Sequence, residues 1–325
     1  MRTRVSGKLL APSVGVVILV AAATATGTAL SGCQRQNSRS AENSATSSGE
    51  SSVSSSANPN PGIPNPTAAR HQVTLPITAG ADFYPQDVAV DAQGNVYATT
   101  VNDGVLKLAP GAQAAVSVGF SGLQFAVSGG ADAAGNVYVT DDGGGANGTG
   151  RVQKRSPAGD QTVLPFAGLG QDPRLAVATD GTVYVADHGN NRVLKLAPGA
   201  TSPSELPFTG LNHPDYVAVD SAGNVYVSDV GNSRVLTLAA GSPAQSVVPI
   251  TTHKQSAIAV DSSSNVYLAG AQGVTVLAKG SQQATQLPVS GGPGGSPQLL
   301  GIAVDTRGNI YLADNQNNQF IELKA

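Results

Sequence analysis

The stretch that decides the fold reads Val217-Ala218-Val219-Asp220-Ser221-Ala222-Gly223-Asn224-Val225-Tyr226-Val227-Ser228-Asp229 and continues through Gly231-Asn232-Ser233-Arg234-Val235-Leu236-Thr237-Leu238. Apolar residues recur in it at the period of two that is typical of β-strands. Asp220 to Gly223 form a turn, because Asp bonds its own backbone two residues on and Gly tolerates a positive φ. The stretch therefore predicts three short strands joined by two turns.

The same stretch recurs along the chain, and each copy carries a tyrosine in its second strand. Six of the eight tyrosines of the sequence occupy this position, and they lie 41, 46, 42, 41 and 44 residues apart. A period of about 40 residues with several strands in each repeat is typical of a β-propeller. The six residues are Tyr97, Tyr138, Tyr184, Tyr226, Tyr267 and Tyr311.

A fourth strand in each repeat is predicted from a short segment that contains proline followed by an apolar residue. The sixth repeat reaches residue 325 without such a segment, whereas residues 73–77 supply one ahead of the first repeat. We therefore predict an all-β, six-bladed propeller of four-stranded antiparallel blades, whose last blade is closed by the N-terminal strand. The other copies lie at residues 162–166, 204–208, 246–250 and 285–289, with a weaker one at 115–120.

Residues 1–32 have the features of a lipoprotein signal peptide, because positive charges precede a long uncharged run of apolar and small residues. The segment Leu30-Ser31-Gly32-Cys33 resembles the bacterial lipobox, in which the cysteine is lipidated and becomes the first mature residue. The alternative is an uncleaved membrane helix, since the run is long enough to span a bilayer. Cys33 favours the lipobox, because it is the only cysteine of the chain. An acyl chain such as palmitate would then anchor the protein.

Residues 33–69 are rich in Ser, Asn, Ala and Pro, and they predict a disordered tether that follows the lipidated cysteine. Residues 70–325 are predicted to form the propeller as one domain. Without the signal peptide the chain carries 15 Lys and Arg residues against 21 Asp and Glu residues, a net charge of −6. It has no basic block and few aromatic residues, so nucleic acid is not an expected partner.

The repeat pattern Ala-Val-Asp-x-x-Gly-Asn-Val-Tyr-Val-x-Asp, followed by Gly-Asn-x-Arg-Val-x-x-Leu, resembles the NHL repeat. Residues 162–169 and 187–196 are closer still to the extracellular sensor propeller of the mycobacterial serine/threonine kinase D. The likeness covers residues 70–325 and implies a six-bladed propeller that senses or binds something outside the cell. Here a lipid anchor and tether are expected in place of the kinase domain and spanning helix, so the resemblance does not imply signalling across the membrane.

A candidate binding site is expected where the first strand of each blade enters the central channel. The family commonly has glycine four residues before the aspartate that ends this strand, and three copies here carry large polar residues instead. We expect these three, with four neighbours, to form a mixed-charge cup. The alternative is a solvated rim with an internal Asp–Arg pair. The cup residues are Gln86, Asp87, Arg174, His213, Asp215, Tyr216 and Lys254.

The remaining polar residues favour structural roles. The aspartates that end the first and second strands recur from blade to blade, whereas a catalytic group should occur once. His188, His213 and His253 fall in loops on the cup face, where three converging histidines would suggest zinc. They lie at different offsets from their strands and lack a metal-binding spacing. We therefore predict no catalytic residue, no metal and no cofactor.

The sequence thus predicts a monomeric lipoprotein on the extracytoplasmic face of the cell membrane, whose propeller binds an unknown extracellular ligand or envelope protein. One alternative is a propeller enzyme resembling streptogramin lyases or gluconolactonases, which needs a metal and a unique acid/base set. Another is a scaffold for envelope proteins, which needs an apolar patch on the outer blades. Fold alone does not decide between them, because propellers host many activities.

Overall fold

The computed structural model describes residues 70–78, 84–143, 150–253 and 255–325. These residues form six four-stranded antiparallel sheets arranged as the blades of a β-propeller, which confirms the predicted fold class. In these ranges no helix has the length and apolar character needed to cross a membrane. The predicted signal peptide, Cys33, the tether and Lys254 lie outside the described residues.

The blades follow one another in chain order, and the first strand of each lines the central channel. Strand β1 (His71–Thr74) precedes them all. Blades one to three contain β2 (Pro85–Val90), β3 (Val96–Thr100), β4 (Gly104–Leu108) and β5 (Val116–Ser117); β6 (Ala126–Ala131), β7 (Val137–Asp141), β8 (Arg151–Arg155) and β9 (Gln161–Val163); and β10 (Arg174–Val177), β11 (Val183–Asp187), β12 (Arg192–Leu196) and β13 (Ser204–Glu205). Blades four to six contain β14 (Pro214–Val219), β15 (Val225–Asp229), β16 (Arg234–Leu238) and β17 (Gln245–Val248); β18 (Ala257–Val260), β19 (Val266–Gly270), β20 (Gly273–Leu277) and β21 (Thr285–Leu287); and β22 (Leu299–Val304), β23 (Ile310–Asp314) and β24 (Gln319–Lys324).

The ring is closed by β1, which is the outer strand of blade six. It pairs antiparallel with β24 from His71 opposite Lys324 to Thr74 opposite Ile321. The pairing continues as the Leu75 amide donates to the Phe320 carbonyl at 2.8 Å. Ile77, just beyond, is buried in the core. The predicted closure by the N-terminal strand is therefore confirmed, and it joins both ends of the propeller in one sheet.

The repeated aspartates after strand one hold the turns. In blade four, Asp220 Oδ1 accepts the amide of Asn224 at 2.9 Å, and Oδ2 accepts its side-chain nitrogen at 2.8 Å and the Tyr226 hydroxyl at 3.3 Å. Blade three has Ala178 in this place. In blade five, Ser264 replaces the turn glycine and adopts a φ of 63°. The equivalent aspartates, each bonded to an Asn and a Tyr, are Asp91, Asp132, Asp261 and Asp305.

The aspartates that end the second strands are also structural. Asp229 is fully buried, where its Oδ1 accepts the Asn212 amide at 2.7 Å and its Oδ2 accepts Arg234 Nε at 2.7 Å. Asp187 and Asp141 make the same pair with Arg192 and Arg151. In blade six, Asp314 accepts Gln319 Nε2 in place of an arginine. The acids of both repeated sets are thus bonded to their turns and to neighbouring polar side chains, as expected from their recurrence.

Deleting residues 71–78 should destabilise the whole ring. The deletion removes the β1–β24 pairing and the buried side chain of Ile77, and burial of one such side chain alone contributes about 1.5–3 kcal/mol. We expect a lower midpoint in thermal and urea unfolding of the full chain. A deletion of equal length at residues 42–49, within the predicted tether, is the control. Unchanged unfolding of the 71–78 deletion would contradict the role assigned to β1.

Candidate binding site at the channel mouth

The channel wall is built from successive layers, each with one residue from the first strand of every blade. Three of these layers contain only Gly, Ala, Val, Leu and Ile, and they surround a cavity of about 160 Å³. The next layer, at the end where the chain enters the strands, has six different residues, all buried. We call it the mouth layer; its members are Asp87, Ser128, Arg174, Tyr216, Ala257 and Gly301.

Arg174 is the central cation of the mouth layer. Its side chain is 8% exposed, and Nε lies 3.2 Å from Asp215 Oδ1. Its guanidinium carbon lies 4.2 Å from the ring centre of Tyr216, a cation–π contact. Nη1 is also buried, and it has no hydrogen-bond partner. Burial raises the pKa of Asp215, although the charge of Arg174 opposes this shift.

Tyr216 reaches past the neighbouring blade five. Its hydroxyl donates a hydrogen bond to the carbonyl of Leu300, which joins blade four to blade six. Blades six and one approach closely at this point, because a Cβ on Gly301 would lie 2.6 Å from the Cα of Asp87. Glycine at 301 thus makes room for the carboxylate on the neighbouring strand.

Asp87 joins the other side of the layer. Its Oδ2 accepts the Ser128 hydroxyl at 2.6 Å, and Ser128 Oγ accepts the Leu175 amide at 3.2 Å. Blades one, two and three are therefore linked through two side chains. Burial raises the pKa of Asp87 to about 6, although the Ser128 hydrogen bond and the Arg174 charge act in the opposite direction.

The rim around the mouth layer carries unusual backbone conformations. Tyr84, Asp172 and His213 have φ values of 38°, 50° and 50°, and each precedes a proline. Gln255, before β18, has a φ of 56°. Side chains other than glycine rarely occupy this region, and such outliers concentrate at functional sites. All four side chains are exposed, so the rim presents them to solvent.

Two histidines lie on the same rim. The ring centres of His188 and His213 are 4.9 Å apart. Nδ1 of His188 is buried and has no hydrogen-bond partner. His188 is also close enough to Asp215 for its charge to lower the pKa of that carboxyl, against the larger effect of burial. No group of three or more His, Cys, Asp or Glu residues suited to a metal ion occurs among the described residues.

The structure brings together four of the predicted cup residues, Asp87, Arg174, Asp215 and Tyr216, but as a buried and interlocked cluster rather than an open cup. His213 lies on the exposed rim, and Gln86 is half-buried outside the mouth layer. Ser128 and His188 were missing from the predicted cup. Ser128 shares the register of Asp87, four residues before its strand-end aspartate, and that register was the signal that pointed to it.

The comparisons with known proteins agree with the fold. The NHL repeat family matches residues 211–238. No match was found among curated proteins.

Several solved structures superpose on most of the chain. The catalytically inactive virginiamycin B lyase from Staphylococcus aureus with quinupristin is 12% identical, with a TM-score of 0.57 over 78% of this chain and 98% of that one. A gluconolactonase from Xanthomonas campestris is 16% identical, with a TM-score of 0.59 over 78% and 89% of the two chains. A chain of the nidogen/laminin complex is 16% identical, with a TM-score of 0.55 over 64% and 81%. At such identities the likeness establishes the fold alone.

Replacing Asp87 by Asn should change how stability depends on pH. Because the folded pKa of about 6 exceeds the ordinary 3.8, the folded state binds this proton more tightly. The stability contributed by Asp87 is therefore complete below about pH 4 and decreases by about 3 kcal/mol as the pH rises to about 6. Relative to the unmodified chain, Asp87→Asn should gain that amount between about pH 4 and about pH 7 in urea unfolding.

The matched control is Asp103→Asn, which changes an exposed acid in the turn between β3 and β4. Its stability difference from the unmodified chain should be the same at both pH values. An Asp87→Asn difference that is equally independent of pH would contradict the environment described for Asp87.

Proposed function

We propose that the protein is an exported lipoprotein, anchored through Cys33 on the extracytoplasmic face of the cell membrane, whose propeller binds an extracellular ligand or an envelope protein at the channel mouth. The anchor rests on the lipobox-like segment 30–33 that follows the uncharged run. The binding function rests on the mouth layer.

The observation that carries the binding function is that the six blades have six different residues in the mouth layer, three of them large and polar, whereas the three layers below contain only glycine and aliphatic residues. In a repeat fold each unit meets the same structural demands, so structure alone favours the same small residue in every blade. Blades five and six satisfy that demand with Ala257 and Gly301. Asp87, Arg174 and Tyr216 are larger and more polar than the blade structure requires, and a role in binding accounts for them.

The layer is also rigid, which suits recognition. The Asp87–Ser128 hydrogen bond connects blade one to blade two, and the Tyr216–Leu300 hydrogen bond connects blade four to blade six. Side chains locked by packing and by their own hydrogen bonds lose little entropy when a ligand binds. The mouth can therefore present fixed charges while the exposed rim residues supply further contacts.

One observation favours the alternative of a propeller enzyme. Asp87 occurs once, and its pKa of about 6 lies near neutral pH, where a carboxylate acts well as a general base. Structures named as a lyase and as a gluconolactonase share the fold. An enzyme would turn over a substrate, and a binding module would retain its ligand unchanged.

A ligand screen separates the two functions. The purified full chain is tested by thermal shift against cell-wall fragments, sugars, small acids and divalent metals, because a ligand stabilises the state that it binds. Each hit is repeated with the two mouth variants Arg174→Lys and Tyr216→Phe. The control is Arg307→Gln, which changes an exposed arginine in the turn after β22, at the other end of the channel from the mouth. We expect a shift that is reduced in the two mouth variants and kept in the control. Chemical turnover of the hit would support the enzyme. A thermal shift that is the same in the unmodified chain and in both mouth variants would contradict a site at the mouth.

Replacing Cys33 by Ala should abolish acylation of the protein. The substitution removes the thiol that a lipobox cysteine needs for acylation, and with it the residue at which the signal peptide would be cleaved. We expect the unmodified chain to incorporate labelled palmitate and to lose residues 1–32, and Cys33→Ala to do neither. An unmodified chain that incorporates no palmitate and keeps residues 1–32 would favour the uncleaved membrane helix instead.

A further inference from the structure

The mouth contains nitrogen atoms that the protein itself does not satisfy. Nη1 of Arg174 and Nδ1 of His188 are buried without a hydrogen-bond partner, whereas Nε of Arg174 has Asp215 as its ion-pair partner. Buried polar groups are nearly always bonded, and an unpaired donor on a charged group is especially costly. The guanidinium nitrogen Nη1 therefore points to an acceptor from outside the chain, and His188 can donate to the same acceptor when Nδ1 carries its proton.

The unsatisfied nitrogens belong to two elements that meet at the boundary of blades three and four. Arg174 begins β10, and His188 begins the short 3-10 turn His188–Asn190 that follows β11. Both residues act on the same carboxylate, Asp215, at the start of β14. Two nitrogen-bearing side chains from blade three thus face one acid of blade four.

We propose that this boundary binds an oxyanion, the carboxylate or phosphate group of a small extracellular ligand, held by Arg174 and His188. The proposal rests on the binding function proposed above and names its ligand class. A guanidinium is a planar fork of donors that matches the two oxygens of a carboxylate or phosphate. The ring of Tyr216 packs against the guanidinium and restrains its position, since the guanidinium carbon lies 4.2 Å from the ring centre.

The acids around the boundary determine how such binding depends on pH. Asp215 and Asp87 face Arg174, and the exposed Asp172 lies nearby. An incoming anion raises the pKa of these carboxyls further, because like charges disfavour ionisation. Burial has already raised the pKa of Asp87 to about 6 and that of Asp215 above its ordinary value. Binding is therefore coupled to proton uptake, and the affinity for an anion increases as the pH falls.

The test measures binding of three small probes to the full chain by calorimetry. Acetate and inorganic phosphate are the anions, and acetamide is an uncharged molecule with the shape of acetate. We expect saturable binding of at least one anion and about tenfold weaker binding of acetamide, because a hydrogen bond to a charged group contributes about 1.5–3 kcal/mol. Acetate binding is measured at about pH 5.5 and at about pH 7.5, where acetate itself is ionised. Because binding is coupled to proton uptake by the protein, acetate should bind more tightly at the lower pH. The tighter anion indicates whether the natural ligand carries a carboxylate or a phosphate.

Variants tie the binding to the site. Arg174→Gln and His188→Gln should each weaken the preferred anion, by about tenfold for Arg174→Gln. Arg174→Lys keeps the charge and loses the fork, so its affinity should be intermediate, and it carries the test where Arg174→Gln fails to fold. Arg307→Gln, at an exposed arginine paired with Asp305, should bind like the unmodified chain.

Two results would overturn the proposal: no saturable binding of either anion, or binding that is equal in the unmodified chain and in Arg174→Lys and His188→Gln. Failure of this proposal is distinguishable from failure of the binding function. Suppose that neither anion binds, but an uncharged ligand from the screen gives a thermal shift that is lost in Tyr216→Phe. The binding function would then be supported and the oxyanion proposal contradicted. If thermal shifts and anion binding are both unchanged in the mouth variants, both proposals are contradicted.

Discussion

The pairing of β1 with β24 is the constraint on which the rest of the structure depends. The two strands come from opposite ends of the propeller, and their backbone hydrogen bonds close the ring. Once the ring is closed, no blade can move outward without breaking contacts with both neighbours. The radius of the channel is thereby fixed, and side chains reach blades beyond their immediate neighbours, as Tyr216 of blade four does with the carbonyl of Leu300 of blade six.

Within this ring the polar residues divide into those that repeat and those that do not. The repeated ones are consumed by the fold: Asp220 is held by the Asn224 and Tyr226 side chains, and Asp229 by Arg234. Such a carboxylate has no free capacity for a ligand, however negative the sequence looks around it. Among the residues that occur once, Arg174 retains a buried nitrogen atom, Nη1, without a hydrogen-bond partner. Chemical capacity is therefore found where the repeat is broken.

The sequence predicts the fold because the period of the tyrosines and the alternation of apolar residues are local signals. It also predicts the closure, since residues 73–77 match the fourth-strand segments of the other blades. For the site, register alone placed Asp87, Arg174 and Tyr216 in one layer. Register does not give the direction of a side chain across a channel or how far it reaches, because these depend on the radius set by six packed blades. Burial of the cluster and the link through Ser128 follow from that radius.

The same geometry argues against stability as the reason for the residues at the mouth. A buried charge with incomplete pairing destabilises the fold, and well-packed apolar residues commonly do better at such positions. The chain contains that solution in its own repeat, because Ala257 and Gly301 fill the equivalent positions of blades five and six. The left-handed residues of the rim add further strain. The destabilising buried charges lie in the mouth layer, and the layers below contain only glycine and aliphatic residues. This distribution fits a surface that is maintained for what it binds.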